Sequence, residues 1–405
     1  MLSFRMFVGI VFLFGSFHIA FSKTSFNVNQ NIIYDENIFR NYEAVSDWIY
    51  ETYFSSGWRL QKKSLNTSVD YRGSITGFTS FPERFFHSHQ IGAQIDLPIK
   101  SKMNSNFGIF YRLRKNKPDY KLYDFSYLNL SSSFRWNQWE NNPIDLIYNF
   151  RRRVFPEFSE LSYRENFVSF RMKHFFITRT TFIAELELST KTYLNDQVYE
   201  STVINEITIK ENEGNGRRGR GNGRSGETTI ADTATVLYNL GTRQNSHARL
   251  ILRLAQSLFP KTGLSLAYIR QFPPSGASRY LAAQEYIYSD DNLLYDDPYT
   301  FRSQEFLLSL NQLLPWQSRV KLNFDYEQRK YFYPIFSHPV EELNPEKRVD
   351  HQTTVSFYWQ KPFRFIPWVN AADLYFAYDF ILNQSNELYF DYQSSIFQIG
   401  LDLMK

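Results

Sequence analysis

Two histidines on one predicted strand are the first residues whose spacing could support chemistry. His87 and His89 lie two positions apart, so on a β-strand their side chains project from the same face. Neutral imidazole is a common ligand for zinc and other transition metals. Two imidazoles alone make a weak site, and the sequence offers no third ligand beside them. We therefore expect no metal here and favour an ordinary position near the end of a strand.

Two pairs of carboxylates could support acid–base chemistry. Glu185 and Glu187 share a strand face, as do Asp373 and Asp379, and paired carboxylates are typical of general acid–base catalysis. A water-filled lumen also requires inward carboxylates, and we favour that interpretation. The sequence shows no Ser–His–Asp arrangement with familiar spacing, no phosphate-binding glycine loop and no nucleic-acid motif. We expect no catalytic residue, no enzymatic activity and no cofactor; a membrane-embedded hydrolase using His87 or Glu185 is an alternative.

The elements that carry these residues read as β-strands with one apolar and one polar face. Near the end of the chain the apolar face consists of Leu374, Phe376, Tyr378, Phe380 and Leu382. A period of two predicts strands. About sixteen such segments recur, the first at 50–60, one at 233–242 and the last at 388–404. This predicts an all-β fold: a transmembrane antiparallel up-and-down β-barrel of about 16 strands (14–18), with short periplasmic turns and long extracellular loops.

Composition narrows the class of protein. The chain has 405 residues, no cysteine and a formal net charge of +4, which excludes disulfides and thiolate metal sites and gives no bulk attraction to nucleic acid. Aromatic residues make up 18% of the chain, as the aromatic girdles of a membrane barrel require. The mean hydropathy of −0.43 is compatible with a barrel, because alternation hides the apolar band from averaged hydropathy. A soluble secreted sandwich is the alternative fold.

The N-terminal residues have the pattern of a secretory signal peptide. Residues 1–22 combine Arg5, an apolar run and small residues before Lys23, so we predict cleavage after Ser22. Residues 23–49 then form a further strand or a short plug, and residues 50–405 form the barrel. The Gly/Arg-rich segment 211–229 is expected to be a disordered loop within the barrel, either a tolerated insertion or an electrostatic tether for acidic polymers.

Assigning the apolar face of each strand to lipid assigns the polar face to the lumen. A charge on the lipid face would cost roughly 2–4 kcal/mol at the membrane midplane, so the charged positions should face water. The predicted lumen-lining residues, candidates for selectivity, are Arg112, Arg114, Arg171, Lys173, Arg249, Arg253, Asp325, Asp373, Asp379 and Asp402. They predict a basic wall on earlier strands and an acidic wall on the closing strands, which would orient polar solutes. The alternative is a lumen closed by salt bridges.

Three stretches carry a resemblance to known proteins. They are Tyr34-Asp35-Glu36-Asn37-Ile38-Phe39-Arg40 with Asp47, Val69-Asp70-Tyr71-Arg72-Gly73 with Arg84-Phe85-Phe86-His87-Ser88-His89, and Asn383-Gln384-Ser385-Asn386 with Tyr389-Phe390-Asp391-Tyr392. They resemble porin-like outer-membrane barrels of several bacterial groups, and the last is similar to the closing hairpin of barrels that export polymers or lipoproteins. The resemblance implies a fold and a location, and no catalytic residue. Such barrels end on an aromatic residue whereas this chain ends Leu403-Met404-Lys405, which would suit a small accessory assembly partner.

The expected function is that of an outer-membrane channel, either a porin-like pore or an export or surface-assembly conduit, passing polar solutes or polymers. The alternative is a non-conducting barrel that anchors or scaffolds surface proteins through its long loops. The expected partners are outer-membrane lipid and, for export or anchoring, surface or periplasmic proteins. Nucleic acid is not expected, and the sequence leaves a homo-oligomer open. The predicted location is the bacterial outer membrane.

Overall fold

A computed structural model describes most of the chain. The described residues are 23–62, 65–100, 102–139, 142–195, 202–208, 229–235, 244–275, 297–332, 347–363 and 371–404. No helix in these ranges is long and apolar enough to cross a membrane. The predicted signal peptide and residues 211–228 of the Gly/Arg-rich segment lie outside the described residues.

The described elements are β-strands and short 3-10 helices. The strands are β1 (Lys23–Asp35), β2 (Asp47–Lys62), β3 (Leu65–Phe78), β4 (Phe86–Lys100), β5 (Met103–Asn116), β6 (Phe125–Trp139), β7 (Asn142–Val154), β8 (Tyr163–Phe175), β9 (Thr180–Tyr193), β10 (Thr202–Thr208), β11 (Thr229–Thr235), β12 (Gln244–Phe259), β13 (Thr262–Gln271), β14 (Phe301–Leu313), β15 (Arg319–Tyr331), β16 (Val349–Phe363), β17 (Ala371–Ser385) and β18 (Tyr392–Met404). The 3-10 helices lie between strands, at Pro82–Arg84, Pro118–Tyr123, Ser159–Leu161, Pro315–Gln317 and Leu388–Phe390.

Sixteen of the described strands form one closed antiparallel barrel. Neighbours in the barrel are neighbours in the chain, except that β9 pairs with β12. The barrel closes where β1 pairs with β18, from Asn27 opposite Met404 to Asp35 opposite Ile396. The prediction of a closed antiparallel barrel of about sixteen strands is confirmed.

The first strand and the strand predicted at 233–242 differ from the expectation. Residues 229–235 form β11, which pairs with β10 in a separate two-stranded sheet, so residues 233–235 do not belong to the cylinder. Residues 236–242 of the predicted strand lie outside the described residues. Strand β1 pairs with both β2 and β18. The barrel therefore includes β1, which corresponds to the further strand that was one of the two alternatives for residues 23–49. A polar Gln30 interrupts the outer face of β1, which obscured the alternation.

The alternation separates an apolar outer face from a polar inner face. On β5, Phe107, Ile109 and Tyr111 are 47%, 49% and 44% exposed. Their neighbour Arg114 points to the opposite face and is buried. Because directly paired residues share a face, the register extends this assignment around the barrel: Tyr111, for example, pairs with Ile91 on β4.

The two rims of the barrel carry different connections. The lower rim has residues 63–64, 101–102, 140–141, 176–179, 260–261, 314–318 and 364–370 between its strands, together with the free ends of β1 and β18. The upper rim has residues 36–46, 79–85, 117–124, 155–162, 194–243, 272–300, 332–348 and 386–391. The three resembling stretches all reach this upper rim.

Buried hydrophobic clusters lie at the upper rim, inside the barrel. One contains Phe125, Tyr163 and Tyr193, packed against the 117–124 and 155–162 connections. The guanidinium carbon of Arg153 lies 4.3 Å from the centroid of the Phe125 ring, a cation–π geometry. Stacked arginines and aromatic rings therefore narrow the upper mouth, while polar residues line the wall below.

Candidate luminal site

The structure places all ten predicted lumen-lining residues on the inner face. Each lies on the strand face opposite the exposed apolar side chains, as the pairing registers show. The basic set lies on β5, β8 and β12. Strands β5 and β8 lie eight places around the barrel from β15 and β18, which carry acidic residues, whereas β12 lies three places from β15. The predicted basic and acidic residues therefore face each other across the bore only in part.

Cations of the basic wall form ion pairs with carboxylates on neighbouring strands. Arg171 Nε donates to Glu185 Oε2 at 2.8 Å, and Arg171 Nη2 donates to Glu185 Oε1 at 2.9 Å. Lys173 Nζ lies 3.3 Å from Asp145 Oδ2. These pairs lie along the wall and do not cross the bore, so they fix side-chain positions without closing the lumen.

Two cations of this wall make different contacts. Arg249 lies between two carboxylates, with Nη1 3.7 Å from Glu187 Oε2 and Nη2 3.7 Å from Glu305 Oε2. Arg253, four residues further along the same face, makes no ion pair within 4 Å with any described residue, although its charge interacts with that of Glu185 at longer range. Its charge is therefore exposed to whatever occupies the lumen.

The acidic wall contains carboxylates that face one another. Asp373 and Asp402 are directly opposite in the β17–β18 register, and Gln360 Nε2 donates to Asp373 Oδ2 at 2.7 Å. On β15, Asp325 and Glu327 share the inner face, and Arg329 Nε donates to Glu327 Oε2 at 2.8 Å. Like charges directly opposite each other are destabilising unless water or cations screen them, so this wall favours a hydrated bore.

The residues considered for chemistry do not form a reactive centre. His87 and His89 face outward, where His87 Nδ1 lies 3.0 Å from His89 Nε2 and Tyr71 Oη lies 2.6 Å from His89 Nδ1. Glu185 faces the lumen, held by Arg171 and the Ser169 hydroxyl. In the described part of the chain, no three His, Cys, Asp or Glu side chains gather as a metal site would require.

A short part of the β13–β14 connection enters the barrel. This inward segment, residues 297–300, contacts side chains of the inner face on β8, β9 and β12. Asp297 forms an ion pair with Lys191 of β9. Lys191 Nζ also lies 4.3 Å from the Tyr163 ring centroid and 4.9 Å from that of Tyr193. The segment is therefore anchored by a charge that aromatic rings surround.

Tyr299 provides the second anchor of the inward segment. Its hydroxyl lies 2.8 Å from Glu165 Oε1 and 2.8 Å from Ser189 Oγ, so it can donate to the carboxylate and accept from the serine. Burial and the Glu165 carboxylate raise the pKa of Tyr299, which keeps the phenol protonated as a donor. Gln271 Nε2 donates to the carbonyls of Pro298 and Phe301 at 2.6 and 2.8 Å.

A luminal pocket of about 420 Å³ lies beside the inward segment. Cations, carboxylates and aromatic rings all line it, and its charged lining residues are Arg151, Arg153, Glu165, Glu187, Lys191, Arg249, Asp297, Glu305, Glu327 and Arg329. Such a lining favours polar solutes with charges of both signs over apolar ones.

The sequence reasoning missed several residues of this pocket. Glu165 and Lys191 lie at the alternate positions of β8 and β9 that face inward. Strict alternation along those strands would therefore have found them. Asp297 and Tyr299 lie in a connection, and no periodicity in the sequence places a connection inside a barrel.

No family model matches the chain, and no curated protein matches it. Solved structures similar to the barrel come from Pseudomonas aeruginosa. OccK9 (OpdG) is 9% identical, with 95% of this chain and 100% of that chain covered and a TM-score of 0.49. OccK5 (OpdH) is 10% identical, with 95% and 99% covered and a TM-score of 0.48. The outer membrane protein OprD is 9% identical, with 95% and 94% covered and a TM-score of 0.46.

Proposed function

We propose that this protein is a channel of the bacterial outer membrane that passes polar solutes. The observation that carries the proposal is a closed sixteen-strand barrel with an apolar outer face and an inner face lined by charged residues. A barrel of this size is wide enough to hold water. Charges on the inner face need that water, because the acidic wall pairs carboxylates such as Asp373 and Asp402 directly.

The outer face supports a position in a bilayer. Its exposed side chains include Ile91, Phe107, Leu188, Leu308 and Ile399, which come from strands all around the cylinder. A soluble protein rarely exposes an apolar surface that surrounds the whole molecule, and a membrane barrel requires one. In outer-membrane barrels the short turns face the periplasm and the long loops face outward. By the same rule, the lower rim faces the periplasm and the upper rim faces outward.

The inner face supports selection by charge. A solute that enters between a basic wall and an acidic wall meets a transverse field and is oriented by it. The inward segment narrows the path on the side of β8, β9 and β12, next to the pocket. A solute with both charges would meet cations such as Arg249 and Arg329 and carboxylates such as Glu305 and Glu327 in the same pocket.

Planar-bilayer recording of the purified protein tests the proposal. We expect discrete conductance steps from the wild-type barrel, and larger steps when residues 272–300 are replaced by a short Gly–Ser linker. A silent wild type that conducts after this replacement would identify a gated channel. Silence of both proteins, in barrels that still migrate differently on gels before and after boiling, would contradict the channel. Surface proteins that co-purify with such silent barrels would instead favour an anchor.

A further inference from the structure

Three cations stand together on the outer face at the upper rim. Arg270 is near the end of β13, Arg302 near the start of β14 and Lys330 near the end of β15. All three lie at the alternate positions of their strands that face outward, as do the exposed Leu266, Phe306 and Leu322. They bound a recess of about 140 Å³ together with Gln304 and Gln328. This group of five side chains is called the cationic recess.

The cations of the recess are close and are not neutralised. Arg302 and Lys330 are directly opposite in the β14–β15 register, where like charges repel across about 5 Å. Arg270 lies directly opposite Gln304. Across the described ranges no carboxylate forms an ion pair with any of the three, and the one ring that Arg270 approaches is Phe272, 5.9 Å away. The barrel therefore holds these charges near one another without a described counter-ion.

The depth of the recess matches the boundary between hydrocarbon and headgroups. Below it on the same face lies an aromatic row, Tyr268, Phe306 and Tyr326, which pair across β13, β14 and β15. Aromatic rings of this kind mark the interface of a membrane barrel. The polar row of Arg270, Gln304 and Gln328 follows one step higher, and Arg302 and Lys330 follow above that. Phosphate groups of outer-leaflet lipids lie at this level.

A second pair, on β7 and β8, three to four places around the barrel from β13, repeats the arrangement. Arg152 of β7 and Arg164 of β8 are directly opposite, exposed and outward-facing. Neither forms an ion pair with a described residue, although the connection between their strands, residues 155–162, is fully described. Unneutralised outward cations at this depth are thus a repeated feature of the upper rim.

We propose that the cationic recess binds the phosphate group of an anionic outer-leaflet lipid. Arginine forms two parallel hydrogen bonds to phosphate, and lysine adds a point charge. The two glutamine amides can donate to the remaining oxygens. The recess is several times larger than a single water needs, which leaves room for one phosphate. This inference rests on the proposed membrane location.

Native mass spectrometry of the refolded barrel in a neutral detergent tests the proposal. The probes are diphosphorylated lipid A, the same lipid with its phosphates removed, and inorganic phosphate. We expect the phosphorylated lipid to bind the wild type, and the double variant Arg302→Gln/Lys330→Gln to bind it about tenfold more weakly. Arg302→Lys, which keeps the charge, should retain most of the binding.

The matched control removes the same charge at the lower rim. Arg179→Gln/Lys261→Gln changes two exposed cations in turns and should leave lipid binding within about twofold of the wild type. Heat-dependent gel migration confirms that each variant is folded.

Equal lipid binding by the recess variant and the wild type would overturn the proposal, and so would equal binding of the dephosphorylated lipid. Equally strong binding of inorganic phosphate would indicate a free-anion site instead. Absence of phosphate-dependent binding would also overturn the proposal. If lipid binding fails while the barrel still conducts, the channel function stands and this inference alone falls.

Discussion

Lys191 of β9 and Asp297 of the inward segment form an ion pair in which the side chains retain only 5% and 2% of their exposure. Three aromatic rings, of Tyr163, Tyr193 and Tyr299, lie within 6 Å of the ammonium group. Removing one partner of a buried pair costs about 3–5 kcal/mol, because the other charge stays buried alone. This pair is therefore a main anchor of the inward segment against the wall, beside the hydrogen bonds of Tyr299 and Gln271.

The first prediction follows from that pair. Lys191→Met should release the inward segment and increase the single-channel conductance, or add rapid steps to a larger level. The double variant Lys191→Met/Asp297→Asn removes both charges and should restore much of the wild-type behaviour, since no charge is left uncompensated. Identical recordings from the wild type and the single variant would show that Tyr299 and Gln271 hold the segment unaided.

The second prediction concerns the cation that separates two carboxylates. Arg249 lies 3.7 Å from both Glu187 and Glu305, so Arg249→Gln removes the positive charge that lies between two carboxyl groups of the pocket. We expect the permeability ratio of K⁺ to Cl⁻ to rise by about twofold or more. Reversal potentials in a KCl gradient at low salt measure it, because screening is weak there. Arg179→Gln, outside the bore, is the control, and an unchanged ratio for Arg249→Gln would remove this arginine from the selectivity path.

The third prediction concerns a close approach in the wall. Gly400 lies directly opposite Tyr375, and a Cβ at position 400 would overlap the Tyr375 ring and hydroxyl. Gly400→Ala should lower the free energy of unfolding by about 1–3 kcal/mol, measured by urea unfolding from lipid vesicles. Gly263→Ala is the matched control, because nothing lies within 4 Å of a Cβ there. Equal losses from both variants would show that overlap with Tyr375 is not responsible.

The fourth prediction concerns pH. Glu387, in the β17–β18 connection, has a pKa raised from 4.5 to about 7, mainly by burial; the Arg348 charge opposes this rise and the Asp350 charge adds to it. The folded barrel therefore binds this proton more tightly than the unfolded chain. The contribution to stability is full below about pH 4.5 and is lost as pH rises to about 7.

Glu387→Gln removes that dependence. Relative to this variant, the wild type should lose at most roughly 2–3 kcal/mol of unfolding free energy between pH 4.5 and 7. Urea midpoints at several pH values measure the difference. Parallel profiles for the two proteins would show that the carboxyl group titrates alike in the folded and unfolded states.

The fold was predictable because alternation is a local property. On β5, Arg112 and Arg114 alternate with Ile109 and Tyr111, and the lipid requirement assigns the faces without knowledge of neighbouring strands. Strand β1 was ambiguous because its outer face contains Gln30, and residues 233–235, which belong to a predicted barrel strand, pair with β10 outside the barrel. Alternation shows that a segment is a strand, whereas its partner depends on contacts far along the chain.

The site was only partly predictable. The alternation in the sequence shows which positions of a strand face inward, so the ten lumen residues could be placed on one face. The pairing of Arg171 with Glu185 depends on the β8–β9 register, which turn length and packing decide together. The position of Asp297 depends on where a long connection folds, and the sequence holds no periodic signal for that.

The pairing of β1 with β18 has a consequence for biogenesis. Until the final strand is added, the growing sheet has two edge strands, each with a row of unpaired amide and carbonyl groups. Within a bilayer no water can form hydrogen bonds with these groups. Something must cover those edge strands during insertion, and the seam from Asn27 to Asp35 can then form only as the last event. Substitutions along this seam should therefore slow maturation of the nascent protein more than they weaken the finished cylinder.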